Sequence, residues 1–261
     1  MVTKQDVSKL LHEFGIKADD TVLMHSSMRS TGGVEGGCDG LIDAFIEYLS
    51  EGLFIVPSHT WDRVGKDNPT FDVRTTMPCT GALTMVAVQR SDGVRSLHPT
   101  HSVVAFGKRA EEFVRGEEKA GSPCFPGGCW ARLYDENAKI LLLGVGHNRN
   151  TYIHAVDEMM DLPGRLTDPI ELTVRDKNGV EYKLNYRKHG KTGSEHFTNY
   201  KKPLEELGAV TYGHLGNALV YCCDARKCTE IIKYLWTKAE YNLCEREKEI
   251  PEEYYRNYPN L

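Results

Sequence analysis

At 261 residues and 40% apolar composition, the chain has enough material for the core of one sizeable soluble α/β domain or two small ones. A formal charge of −5 excludes a broad nucleic-acid-binding face, which needs clustered Lys and Arg, while leaving room for local basic groups that hold a small anion. No run of about 18 apolar residues is present to cross a bilayer, and the N-terminal MVTKQDVSKLLHEFG lacks the layout of a secretory signal, so the expectation is a cytoplasmic protein whose eight scattered cysteines are mostly thiols.

In chain order, TKQDVSKLLHEFGI has helical spacing, and TVLMHSS is a short apolar strand. The Ser/Gly loop HSSMRSTGGVEGG separates that strand from the helix CDGLIDAFIEYLS and the strand GLFIVPS. This order is a β-α-β unit of an open sheet. Residues 59–79 lack a period and read as a long surface loop beside a functional site. The helix TGALTMVAVQR follows, and RSLHPTHSVVAFG joins a polar loop to a buried strand.

Further on, KRAEEFVRG is helical, GSPCFPGGCWARLYDENA is loop and short helix, KILLLGVG is a buried strand, and NTYIHAVDEMM opens another helix. From residue 168 the alternation of DPIELTVRDKNGVEYKLNYRKHG about Asn-Gly predicts a hairpin. The helix-prone SEHFTNYKKPLEELG, the strands AVTYG and NALVYCC, and the helix ARKCTEIIKYLWTKAE complete the pattern. The expectation is one domain over 1–261, with a mixed sheet flanked by helices and a charged, loosely packed tail from about residue 241.

Two segments can carry chemistry. The loop HSSMRSTGGVEGG can offer backbone N–H groups and Arg29 to a phosphate, or it is simply a turn that needs small residues; it fits neither the P-loop nor the dinucleotide fingerprint. In LLLGVGHNRNTYIHAVDE, His154 shares a helix face with Asp157 and Glu158, either of which can orient the ring. Its place after the carboxyl end of a buried strand favours function over an incidental histidine. A metal reading would use His98, His101, His154 and a carboxylate, but HExxH is absent and no CxxC occurs. A serine hydrolase lacks its GxSxG, and Cys124 or Cys129 carries no nucleophile signature.

Together, LMHSSMRSTGGVEGG, LFIVPSHTW, RSLHPTHSVVAFG, GSPCF and ILLLGVGHNRNTYIHAVDE resemble the aminoglycoside 3-N-acetyltransferase family over roughly residues 5–240. That family has a fold unlike the GNAT acetyltransferases and transfers acetyl from acetyl-CoA to an antibiotic amine. The resemblance implies that Ser26, Ser27, Met28, Arg29, Ser30 and Val34, with Gly36 and Gly37, hold acetyl-CoA. It also implies that Arg95, Ser96, His98 and Ser102 line the cofactor cleft, and that Ser122 lies near the pantetheine arm. His154 is the implied general base with Asp157 or Glu158 beside it, while His101 is incidental. In KLNYRKHGKTGSEHF, where relatives offer an acidic residue near that base, the candidates here are His189 and Glu195.

The implied partners are a small-molecule amine and CoA, with no metal, nucleic acid or membrane; a homodimer is left open. Two rivals remain at this level: a metal-dependent hydrolase, and a CoA-binding protein without an acceptor.

Overall fold

A computed structural model describes residues 1–190 and 193–259. The first helix, α1 (Lys4–Glu13), starts at a capping box in which the Thr3 side chain accepts from the Asp6 N–H and the Asp6 side chain accepts from the Thr3 N–H. Then come β1 (Thr21–Ser26), a 3₁₀ turn (Met28–Thr31), α2 (Gly37–Tyr48), β2 (Leu53–Pro57), β3 (Thr70–Asp72) and α3 (Ala82–Ala87). The middle of the chain forms β4 (Val94–Arg95), β5 (Val103–Phe106), α4 (Ala110–Phe113), α5 (Cys129–Asp135), β6 (Lys139–Leu143) and α6 (Tyr152–Met159). The last third supplies β7 (Ile170–Arg175), β8 (Glu181–Tyr186), α7 (Lys201–Glu206), β9 (Val210–Leu215), β10 (Ala218–Asp224) and α8 (Ala225–Lys238).

The large sheet has the order β4-β5-β2-β1-β6-β10-β9. Its centre is parallel, with Leu23 of β1 opposite Ile55 of β2 and Ile140 of β6, and antiparallel strands extend both sides. Successive side chains of β1 enter different cores, which is why Val22, Leu23 and Met24 are all apolar. Leu23 packs with Trp130, Ile153 and Ile231 from α5, α6 and α8, whereas Val22 and Met24 pack with Leu11, Phe45 and Leu83 from α1, α2 and α3. This is the mixed-sheet α/β architecture that the strand-helix order predicts.

Two features depart from the expectation. The loop 59–79 contains β3, which pairs in parallel with β7 and extends the predicted hairpin into a separate three-stranded sheet over Val64, Phe71 and Tyr186. A three-residue strand has too short an alternation to be read locally. The tail is not loose: Leu243, Cys244, Ile250 and Tyr255 are buried in the core beside α8. Its charges cover solvent while four spaced side chains anchor it. Among the described residues, no helix is long and apolar enough to cross a membrane.

Because β1, β2 and β6 are parallel, their carboxyl ends open on one edge. There the 27–31 turn closes tightly on β6. The Ser27 N–H donates to the Leu143 carbonyl at 2.8 Å, and Gly144 has φ of 63°. A Cβ on Gly144 would lie 1.8 Å from Ser30 Oγ, so only glycine permits this approach.

Candidate active site

A cavity of about 860 Å³ lies at this edge. His25 and Ser26 from β1, His59 after β2, Asn148, Arg149, Thr151 and His154 after β6, and His189 after β8 all line it. Trp61 and Cys79 from the 59–79 loop, with Thr80 just after it, form another wall, so that loop borders the cavity. A smaller cavity of about 310 Å³, between α1 and the β9–β10 hairpin, contains none of these histidines.

His154 and His189 stack with ring centroids 3.9 Å apart, and Phe197 meets the His154 ring edge-on at 4.6 Å. Behind them, Glu158 accepts from the Cys124 N–H at 2.9 Å and from the Ser122 hydroxyl, and lies 3.1 Å from His189 Nε2. Neither neighbouring carboxylate therefore holds His154, contrary to the helix-face expectation. Asp157 turns into the core against Arg165 at 3.1 Å, and burial pushes its carboxyl up to about 7 despite that cation. Burial, followed by the charges of His189, Arg165 and His59, holds His154 well below the usual imidazole range and hence neutral at pH 7.

The rings continue inward. His101 meets His189 at 5.1 Å and His59 at 4.8 Å, and His59 lies 6.4 Å from His25. Burial lowers the pKa of all three inner rings, His25 to about 3. The Trp130 indole N–H fixes the His101 carbonyl at 2.8 Å, and His59 Nε2 is 3.2 Å from Thr151 Oγ1. His101 is thus a wall of the cavity rather than an incidental residue. His25 and His59 were missed as site residues, although each follows the apolar run of a parallel strand, where open α/β sheets place ligands.

Thr100 and His101 of the segment 95–102 line the cavity, whereas Arg95, Ser96, His98 and Ser102 are placed differently from the expectation that they line the cleft. Ser96 is buried and hydrogen-bonds Glu117, while Ser102 donates to the Ser58 carbonyl at 2.7 Å. Arg95 donates to the Thr76 carbonyl at 2.7 Å and stacks over Phe71, in the core of the small sheet. His98 is fully buried: its Nδ1 accepts from the N–H groups of Thr100 and His101, and Nε2 donates to the Ser122 carbonyl at 3.0 Å. Two donors on Nδ1 define the neutral Nε2–H tautomer, and burial takes its pKa down to about 3. These side chains tie strands and loops together because polar groups this deep must be satisfied internally.

Ser122 likewise spends its hydroxyl on Glu158, and its neighbour Pro123 lines the cavity. Of the 26–37 loop, Ser26 reaches the cavity. Ser27, Met28, Arg29 and Ser30 form the adjoining turn, and Val34 packs toward the α1–α2 core.

Cys124, Glu158 and His189 offer ligand atoms within 4.8 Å of one another. Burial and nearby carboxylates push the Cys124 thiol well above its ordinary range, opposing the thiolate a metal would need, and Glu158 already accepts from the 122–124 loop. Their donor set suits hydrogen bonding to one carboxylate better than metal ligation.

A sequence model described as aminoglycoside 3-N-acetyltransferase matches residues 23–237. Aminoglycoside N(3)-acetyltransferase III of Serratia marcescens is 24% identical over 196 residues, covering 69% of this chain and 72% of that protein. A histidine-to-alanine variant of aminoglycoside acetyltransferase AAC(3)-IVa, solved in complex with a gentamicin, superposes with a TM-score of 0.77 at 25% identity, covering 94% of this chain and 95% of that one. AAC-IIIb, solved as a binary complex with CoASH, gives a TM-score of 0.77 at 20% identity, covering 90% and 97%. The sequence match spans both the strands that build the cavity and the helix that carries His154, and it places this chain in the aminoglycoside 3-N-acetyltransferase family of acyltransferases.

Proposed function

We propose that the chain transfers acetyl from acetyl-CoA directly to an amine, with His154 as the general base. The observation that carries this reading is the stacked His154–His189 pair in the cavity, with Glu158 fixed behind it. The amine nitrogen attacks the thioester carbonyl carbon, and His154 takes the nitrogen's proton. Collapse of the tetrahedral intermediate breaks the C–S bond, and the proton passes from His154 to the departing thiolate. Holding amine and thioester together supplies most of the acceleration, since positioning makes a bimolecular step effectively unimolecular. A neutral His154 has its lone pair available, and general-base transfer of this kind contributes about 10²–10⁴-fold.

The donor end of the reading rests on the 26–37 loop. Arg29 is exposed, with no ion pair among the described residues, and the first turn of α2 has no side-chain cap, so its N–H groups suit phosphate. The CoASH and gentamicin complexes of the solved relatives support the donor and acceptor classes. The bond from Glu158 to His189 favours a second assignment within the same reaction, with His189 as the base.

A coupled thiol-release assay with acetyl-CoA and a panel of amines tests both. His154→Ala should keep CoA affinity within a few-fold and lose about 10²-fold or more in kcat. Near-normal kcat for His154→Ala together with collapse of His189→Ala would move the base to His189. No thiol release with any amine, despite CoA binding, would sink the transferase reading.

A further inference from the structure

We infer that Arg165 is a positioning residue for the acetyl transfer: it brackets the two stacked rings, holding the helix that carries His154 with its side chain and the segment that carries His189 with its backbone. The inference rests on the transfer reading above and concerns how the two rings are kept in register.

The chain leaves α6 through a tight turn. The Leu162 N–H returns to the Asp157 carbonyl at 3.2 Å, Asp161 has φ of 49°, and residue 165 comes back beside the helix it has just left. There Arg165 Nε lies 3.1 Å from Asp157 Oδ2, about one turn of α6 beyond His154, and both side chains are buried. The guanidinium also lies over the Trp236 ring of α8 at 5.7 Å, with Nη2 3.5 Å from Asn242 Oδ1 in the tail. Contacts on three sides fix the cation.

The backbone of the same stretch faces the other way. The Arg165 carbonyl accepts from the Gly190 N–H at 2.7 Å, Leu166 forms an antiparallel bridge with His189, and the Thr167 N–H donates to the Lys188 carbonyl at 2.8 Å. A Cβ on Gly190 would come within 2.7 Å of the Gly164 carbonyl oxygen, so the two segments run in close contact. Glu158 meets His189 at Nε2, but a ring held at one atom can still pivot; the bracket sets the backbone it hangs from relative to α6. A stack with centroids 3.9 Å apart needs both, and displacing a reacting group by about 1 Å can cost about 10²-fold in rate. Arg165 itself does not line the cavity, so it acts through the rings.

Arg165→Met, Arg165→Lys and Asp157→Asn are each made in the wild type and in His189→Ala. They are assayed at pH 8, above the Asp157 value of about 7, by thiol release, circular dichroism and thermal melting. In the wild-type background Arg165→Met should lose about tenfold or more in kcat and Asp157→Asn about threefold or more, with KM for acetyl-CoA within about threefold and Arg165→Lys keeping most of kcat. In His189→Ala, which has no second ring to align, the same substitutions should change kcat less than about twofold while lowering Tm as before. Equal fold losses in the two backgrounds, or wild-type kcat in folded Arg165→Met, overturn the inference. Where Arg165→Met does not fold, Asp157→Asn decides by the same comparison, since it keeps the shape of the carboxyl. The His154 ring-proton resonance, identified by its loss in His154→Ala, reports without turnover: stacking shifts it, and Arg165→Met and Asp157→Asn should each move it toward its position in His189→Ala. No movement overturns the inference even where the wild type releases no thiol, which is the separate failure of the transfer reading.

Discussion

Replacing Glu158 by Gln isolates the charge behind the stacked rings. The carboxylate accepts from Cys124 N–H at 2.9 Å and from the Ser122 hydroxyl, and approaches His189 Nε2 at 3.1 Å. A glutamine keeps the shape: its oxygen can still face Cys124, and its NH₂ can donate to Ser122 Oγ, which then accepts instead of donating. The fold should survive while the charge disappears. A charged hydrogen bond contributes about 1.5–3 kcal/mol and a neutral one about 0.5–1.5, so the lost difference is about 1–1.5 kcal/mol, or about 5- to 10-fold in rate. A full positive charge on the ring pair, about 4 Å from the carboxylate at an effective dielectric of about 20, raises the upper bound to about 4 kcal/mol. The expected kcat loss is therefore between about fivefold and 10³-fold, with KM for acetyl-CoA changed less than about threefold. Steady-state thiol release and circular dichroism measure it together. A folded Glu158→Gln protein with kcat within about threefold of wild type would refute the idea that this charge serves the reaction.

His98→Ala should unfold the protein more easily rather than act on chemistry alone, since it strands the Thr100 and His101 N–H groups and the Ser122 carbonyl; a loss of about 2–5 kcal/mol in urea denaturation is expected, and a loss below about 1 would contradict the assigned network. Stability should fall on acidification from pH 7 to 5. His25, His59, His98, His101, His147 and His154 all have folded pKa values below the ordinary one, so the unfolded chain binds more protons below about pH 6.5, each group contributing about 1.4 kcal/mol per pH unit. Glu117 and Asp157, both raised to about 7, work in the opposite direction but are two against six; a Tm that is flat or rises over this range would defeat the accounting. Exhaustive EDTA treatment should leave acetyl transfer intact, and activity lost on chelation but restored by zinc would turn attention to Cys124, Glu158 and His189.

What could be read from the chain depended on how locally each feature is encoded. The buried strands TVLMHSS and KILLLGVG and the helix NTYIHAVDEMM carry their own periods, so the central sheet and the position of His154 were legible. β3 was not, because three residues acquire meaning only against β7. The tail misled because charge dominates its composition while Leu243, Cys244, Ile250 and Tyr255 decide its packing. The histidine pair of RSLHPTHSVVAFG shows a sharper limit. His98 and His101 look equivalent in the string, yet one ring is locked between two backbone segments and the other faces the cavity. The turn itself ties His98 Nδ1 to the Thr100 and His101 N–H groups, and Ser122 and Trp130, arriving from elsewhere, complete the difference.

The exchange of carboxylate partners has a physical cause that the helix alone cannot supply. Spacing of three and four residues puts Asp157 and Glu158 near His154, and on an isolated helix such pairs interact by a few tenths of a kcal/mol. Inside this fold each carboxylate meets stronger competitors. Arg165 lies beside Asp157 in the core, and the 122–124 loop presents a hydroxyl and a backbone N–H to Glu158. A buried carboxylate without partners costs more than the helix pair can return, so tertiary partners decide its direction: hydrogen-bond donors for Glu158 and the Arg165 charge for Asp157. With Glu158 turned toward that loop, the ring that reaches it comes from the end of β8, and His154 is held by stacking on that ring. The contact route from Glu158 to His154 therefore runs through His189, and the two substitutions His189→Ala and Glu158→Gln should be less than additive in kcat. Full additivity would mean that the carboxylate and the ring act separately.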